Sequence, residues 1–169
     1  AQTVARALAS EGFDAEFDQE RGFDHGTFVP MALIRPEADI PILQMSLLSS
    51  LDAAQHLSIG RALASVLQDE IVLIGSGFSF HNLPALTGRL SQEQAEQGQL
   101  LATAFHDWLD NLVCGPDQQP AQRNESLIAW SEAPGARFCQ PREEHLLPLH
   151  VCVGAAQVAG MTASQIFGE

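Results

Sequence analysis

Lysine and tyrosine are absent from this chain, and its eight basic residues, all arginine, face 21 acidic ones. The net charge of −13 argues against a nucleic-acid binder, because phosphate binding depends on clustered cations. Cysteine is scarce. Cys114, Cys139 and Cys152 are odd in number and form no CxxC pair, so free, mostly buried thiols in a reducing compartment are expected rather than a disulfide framework or a thiolate metal site. No apolar run approaches the ~20 residues a spanning helix needs. The opening Ala1-Gln2-Thr3-Val4-Ala5-Arg6 lacks the charged head and apolar stretch of a signal peptide. These absences predict a soluble, cytoplasmic protein with neither a nucleic-acid nor a membrane partner. At 169 residues and 46% hydrophobic, the chain has enough apolar material for one domain with a core.

Residues 1–10 carry Val4 and Leu8 at helical spacing, and Gly12 is a plausible stop. Phe13, Ala15 and Phe17 alternate with charged residues as in a half-buried strand, and a turn over Gln19 to Gly22 follows. Ile40 to Leu47 is an apolar run of strand length, with Pro41 tolerable near its start. Asp52 can cap a helix running to about Leu67, with Gln55 as capping-box partner and Ile59, Leu63, Val66 and Leu67 on one face. Ile71 to Gly77, IVLIGSG, opens with four apolar residues, three of them β-branched, which fits a strand buried on both faces of a parallel sheet. Ser91 and Gln94 form a second capping box. The helix it opens lines Leu101, Phe105, Trp108, Leu109 and Leu112 on one face and stops at Gly115-Pro116. Residues 116–142 hold four prolines and read as a long loop with a short helix near Leu127–Trp130. Glu143 to Gln157 is helical in tone, interrupted at Pro148. Helices alternating with strands predict an α/β domain, a mostly parallel or mixed sheet flanked by helices. Three strands are few for such a domain, so the sheet is expected to be incomplete without partners from outside this chain.

Chemistry in such a chain falls to its six histidines. His81 lies four residues after the apolar run 71–77, and ligands in open α/β sheets bind beyond the carboxyl ends of strands. It is placed to be a ligand or an acid–base group, with Asn82 able to hydrogen-bond it; the alternative is a loop histidine bonded to backbone. His25 sits in Gly22-Phe23-Asp24-His25-Gly26, where Gly26 permits close backbone approach to a ligand; otherwise this is a surface turn. His145 puts a polar head on the apolar Leu146-Leu147-Pro148-Leu149 and calls for a carboxylate or metal partner. His56 shares its helix face with Ile59 and Leu63 and reads as a satisfied, partly buried histidine. His106 reads as solvated, and His150, five residues after His145, falls on a different helix face from it.

Other motifs fail on inspection. Gly75-Ser76-Gly77 lacks the third glycine of a dinucleotide fingerprint, and no Walker lysine exists. Gly77-Phe78-Ser79-Phe80-His81 begins like a nucleophile elbow, but His81 stands where the final glycine belongs. Asp107 and Asp110 look like a solvated helix face.

Four ordered stretches resemble the DOPA-type, LigB-like (class III) extradiol ring-cleaving dioxygenases. They are Gly22–Phe28 with Pro30, Arg35–Leu47 (RPEADIPILQMSL), Ile71–Leu83 (IVLIGSGFSFHNL) and Glu143–Ala156 (EEHLLPLHVCVGAA). The resemblance implies a ring-opening enzyme that inserts O2 into a catechol-type substrate at a mononuclear non-haem metal, Fe(II) foremost and Zn(II) as the alternative. It implies His145 as a metal ligand, His81 as acid–base catalyst or additional ligand, and His25 as the histidine that helps bind substrate or oxygen. A histidine of near-neutral pKa suits the proton transfers of catechol cleavage.

Two further motifs of that family, resembling HGSP and SAHW and each carrying a ligand histidine, do not occur here. The expectation is therefore residues 1–169 as one domain, the C-terminal two-thirds of a catalytic domain that an N-terminal segment or a homo-oligomer would complement. The alternatives are a non-catalytic, Memo-like binding protein on the same fold and an inactive fragment.

Overall fold

The computed structural model describes residues 1–67, 71–116 and 118–167. Helices dominate it. Helix α1 spans Gln2–Ser10, α2 His25–Ile34 and α3 Ala53–Leu63, which runs on into a 3-10 turn over Ala64–Val66. The short α4 covers Leu83–Leu86 and the long α5 Gln92–Cys114. Pro120–Ile128 forms α6, Ala136–Cys139 α7 and Leu147–Val158 α8. No helix among the described residues is long and apolar enough to cross a membrane.

Local chemistry sets the helix starts. Asp52 accepts the Gln55 backbone N–H at 2.7 Å and begins α3. The predicted reciprocal bond is missing there, because the Gln55 side chain accepts the Ser50 hydroxyl instead. At α5 the full capping box forms between Ser91 and Gln94. Pro120 and Pro148 both fall in first turns, where the lost N–H has no helical partner and the fixed φ is already helical. Residues expected as a long loop therefore contain α6 and α7, and Pro148 begins α8 rather than interrupting it. Asp117, within that expected loop, lies outside the described residues.

The core has two parts that share α3. Leu57 joins Phe105, Leu109, Leu112, Leu127 and Leu147 on one side, while Ile59 and Leu63 join Leu8, Val66 and Val151 on the other. Helices α3 and α8 cross at van der Waals contact of their backbones. A Cβ at Gly60 would collide with the Val151 carbonyl, and one at Gly154 with the Leu57 carbonyl. Two histidines, one on each of these helices, are buried and bonded to backbone. His56 donates from Nδ1 to the Asp52 carbonyl (2.6 Å) and accepts at Nε2 from the Leu48 N–H (3.2 Å). His150 Nε2 donates to the Leu127 carbonyl at 2.9 Å, tying α8 to α6.

The expected sheet is not there, and the α/β assignment is corrected. Residues 13–17, 40–47 and 71–77 carry no strand, nor does any other described residue. No backbone hydrogen bond joins any two of these three segments, and a strand exists only by such pairing. The run 71–77, expected to be buried on both faces, is open: Val72 is 82% exposed and Ile71 55%. Only Leu73 of that run packs against the core.

Candidate functional site

Three segments of different origin converge beside the start of α8. In the first, Asp24 caps α2 by accepting the Thr27 N–H at 3.1 Å, which puts His25 at the first helical position. The Asp24 N–H donates to Gln44 Oε1 at 2.9 Å. Gly26 faces Ser76, since a Cβ there would lie 3.5 Å from the Ser76 hydroxyl. The turn carrying His25 thus rests between segments 40–47 and 71–77.

The second and third segments carry His81 and His145 and are laced together without a ladder. Phe78 N–H donates to the His145 carbonyl (2.9 Å), and His81 N–H to the Cys139 carbonyl (2.7 Å). Gln140 Nε2 donates to the Phe78 carbonyl at 2.5 Å. Asn82 Nδ2 donates to the Phe138 carbonyl at 2.8 Å, while its Oδ1 caps α4 by accepting from the Ala85 N–H. Asn82 therefore holds the loop and not the His81 ring. Gly77 is required, because a Cβ there would strike the His145 carbonyl.

The lacing brings the His81 and His145 rings face to face, with centroids 3.3 Å apart and planes 12° apart. Burial depresses the His145 pKa, and the proximity of His81 and then of His25 adds to this against the opposing pull of Glu144. His145 is therefore neutral at pH 7, with a lone pair available. Arg142 pairs with Glu144 at 3.0 Å, and Arg137 with Glu143 at 2.7 Å. Burial alone would raise the Glu143 pKa, but the bond from Arg137 and the two arginine charges hold it below the usual range.

Beside His145 opens a cleft of about 240 Å³, lined by Gly75, Phe78, Leu109, His145, Leu149 and Cys152 among others. A cavity of about 150 Å³ accepts benzene, so a single aromatic ring fits. A wider concavity along Glu16–Glu20, about 530 Å³, holds none of these histidines and is no rival as a reaction site. Burial pushes the Cys152 pKa up, outweighing a bond with Gly75, and pushes Cys139 to about 11. Neither thiol is a nucleophile at pH 7.

His25, His81 and His145, the residues singled out from sequence, thus belong to one region. His106 lies exposed on α5, near Gln165, and His56 and His150 are buried in the core. The sequence reading missed Gln44 and Gln140, whose bonds reach across 20 and 62 residues and leave no local pattern. A metal of the kind the resemblance implies does not fit these donors alone. Among the described residues no three His, Cys, Asp or Glu side chains gather closely enough to hold an ion. Stacked imidazoles also keep their lone pairs in two near-parallel planes, whereas ligands of one ion converge on a point.

His145 thus lines an apolar cleft, with the His81 ring stacked against it. The comparisons identify the family. Residues 1–166 match the family model described as the catalytic LigB subunit of aromatic ring-opening dioxygenase, and the chain belongs to this family. It is 43% identical over 162 residues to the dioxygenase tasH of Hapsidospora irregularis, a match covering 92% of this chain and 49% of that protein. It is 36% identical to the 4,5-DOPA dioxygenase extradiol of Beta vulgaris (92% and 55% covered), and 34% to that of Escherichia coli K12 (79% and 47%). A crystal structure of an uncharacterized Escherichia coli K12 protein superposes with a TM-score of 0.74 at 32% identity, covering 92% of this chain and 60% of that one. The chain spans about half the length of the curated relatives it matches.

Proposed function

We propose that this chain carries the acid–base part of an extradiol ring-opening dioxygenase acting on a catechol-type substrate and O2. The observation that carries the reading is the stacked His81–His145 pair beside a ring-sized cleft, with His25 within electrostatic reach. The apolar walls from Phe78, Leu109 and Leu149 receive the ring. His81 takes a hydroxyl proton from the catechol and returns it later, as an imidazole placed beside the substrate can. His25, at the positive end of α2, orients the substrate or the oxygen. His145 is the assigned metal donor, and His81 is the alternative one. The metal would be Fe(II), or Zn(II) as second choice; when bound it would supply a site for catechol and oxygen together. The donors among the described residues form only part of such a set. The three cysteines are free, which supports a reducing compartment such as the cytoplasm.

The incomplete donor set favours a second reading, a non-catalytic Memo-like binding protein. Incubating the intact protein anaerobically with Fe(II), then adding a catechol and air, separates the two. The dioxygenase reading expects the yellow ring-opened product to accumulate. Catechol binding with no change in its spectrum would leave only the binding protein.

A further inference from the structure

Gln140 is fully buried at 0% exposure, as is His150, but unlike that histidine it keeps a polar atom without a partner. Its Nε2 donates to the Phe78 carbonyl, while its Oε1 is buried with no hydrogen-bond partner. A buried polar atom left unpaired is costly. A methionine or leucine would fill the space with no orphaned oxygen, so what the amide contributes here is its N–H.

That N–H acts at a junction. The Phe78 N–H is held by the His145 carbonyl, and the Phe78 carbonyl is held by Gln140. The neighbouring Cys139 carbonyl in turn takes the His81 N–H. The bonds form a closed circuit running from His145 through Phe78 and Gln140 to Cys139 and His81. No strand pairing supports either segment, and within the circuit Gln140 supplies the side-chain link.

We propose that Gln140 is a positioning residue that fixes the His81 ring against the His145 ring by gripping the Phe78 carbonyl. The proposal rests on the reading of those two histidines as one site, but not on which reaction the site performs. Gln140 touches neither ring in this role and acts through the loop 77–82. Without its grip the peptide carbonyl of Phe78 is free to turn, and the loop is left with the Phe78 N–H bond to His145, the His81 bond to Cys139, the Asn82 anchor and the Phe80–Phe138 contact.

The test is nuclear magnetic resonance of the histidine ring protons at one fixed pH in the intact protein, comparing wild type with Q140M. Methionine keeps the length and volume and removes the donor. The expected result is loss of the His81–His145 inter-ring Overhauser contact and of the mutual ring-current shift. The ring signals of His56, His106 and His150 should stay in place. Q140E, of equal size but with an acceptor where the donor was, should separate the rings in the same way. Unchanged His81 and His145 signals in either variant would overturn the proposal, because Gln140 would then be filler. A collective shift of all six histidines in both variants would overturn it too, by making Gln140 a general core residue. If the site turns over a catechol, Q140M should also lower kcat on the order of 100-fold, the usual cost of ~1 Å misplacement, with KM little changed. Absence of turnover in wild type would count against the proposed enzyme and leave the ring geometry testable as before.

Discussion

Residue by residue, the candidate site separates the histidines proposed to carry chemistry from the side chains that set their places. His25, His81 and His145 were legible in the sequence because each is a polar head at the edge of an apolar or glycine-bearing segment. Gln44 and Gln140 were not, because a side chain that bonds to distant backbone has no signature of spacing. Asn82 was read as a partner for His81, yet its two ends serve the Phe138 carbonyl and the start of α4. Replacing His81 by alanine should lower ring cleavage by roughly 10²–10⁴-fold, the usual worth of a positioned acid–base group, while metal uptake measured by titration stays intact. Loss of metal along with activity would make His81 a ligand instead.

The buried His150 supplies a second prediction at this scale. Burial holds its pKa below the ordinary value of 6.5, against the opposing bonds with Leu127 and Leu146. The unfolded chain therefore binds a proton that the folded one refuses, so stability rises with pH across this range. It is fully present above the ordinary histidine value and is lost as pH falls through and below about 6.5. His145, also depressed, adds in the same direction. Urea unfolding should show a lower midpoint at about pH 5.5 than at about pH 7.5, and His150→Gln should flatten that dependence. An equal pH slope in the variant would remove His150 from the account.

At the scale of elements, helices with a cap and a period were readable, and those begun by proline were not. Ser91 with Gln94, and Asp52 before an apolar face, announce α5 and α3. Pro120 and Pro148 read as breaks because proline ends helices as often as it starts them, and only the backbone shows which. The three apolar runs were misread for a different reason. Extended conformation is a local property, whereas strand pairing needs a second segment, and in 71–77 Ile71, Val72 and Ile74 stay open to solvent. The α3–α8 crossing depends on two glycines that no local signal marks. Gly60→Ala should gain up to about 1 kcal/mol of helix propensity but drive a methyl into the Val151 carbonyl, with overpacking costs of about 1–3 kcal/mol. Net destabilisation in urea titration is the expected outcome, and a rise in stability would show that the crossing tolerates a wider spacing.

At the scale of the molecule, a −13 charge with no lysine accompanies an apolar cleft and a small group of histidines. The four ordered motifs pointed to the family, and the family match over residues 1–166 shows it. What motifs alone left open is how the candidate histidines meet without a sheet beneath them. Here they meet through single hydrogen bonds between the 77–82 loop and the residues leading into α8. The claim that they serve a dioxygenase is tested most directly by turnover of a catechol under oxygen-18 gas with the intact, Fe(II)-loaded protein. Mass spectrometry of the ring-opened product should show both atoms of one O2 molecule incorporated, with far less product formed when His81 is replaced by alanine. A product carrying no oxygen-18, or no product at all from the metal-loaded protein, would contradict it.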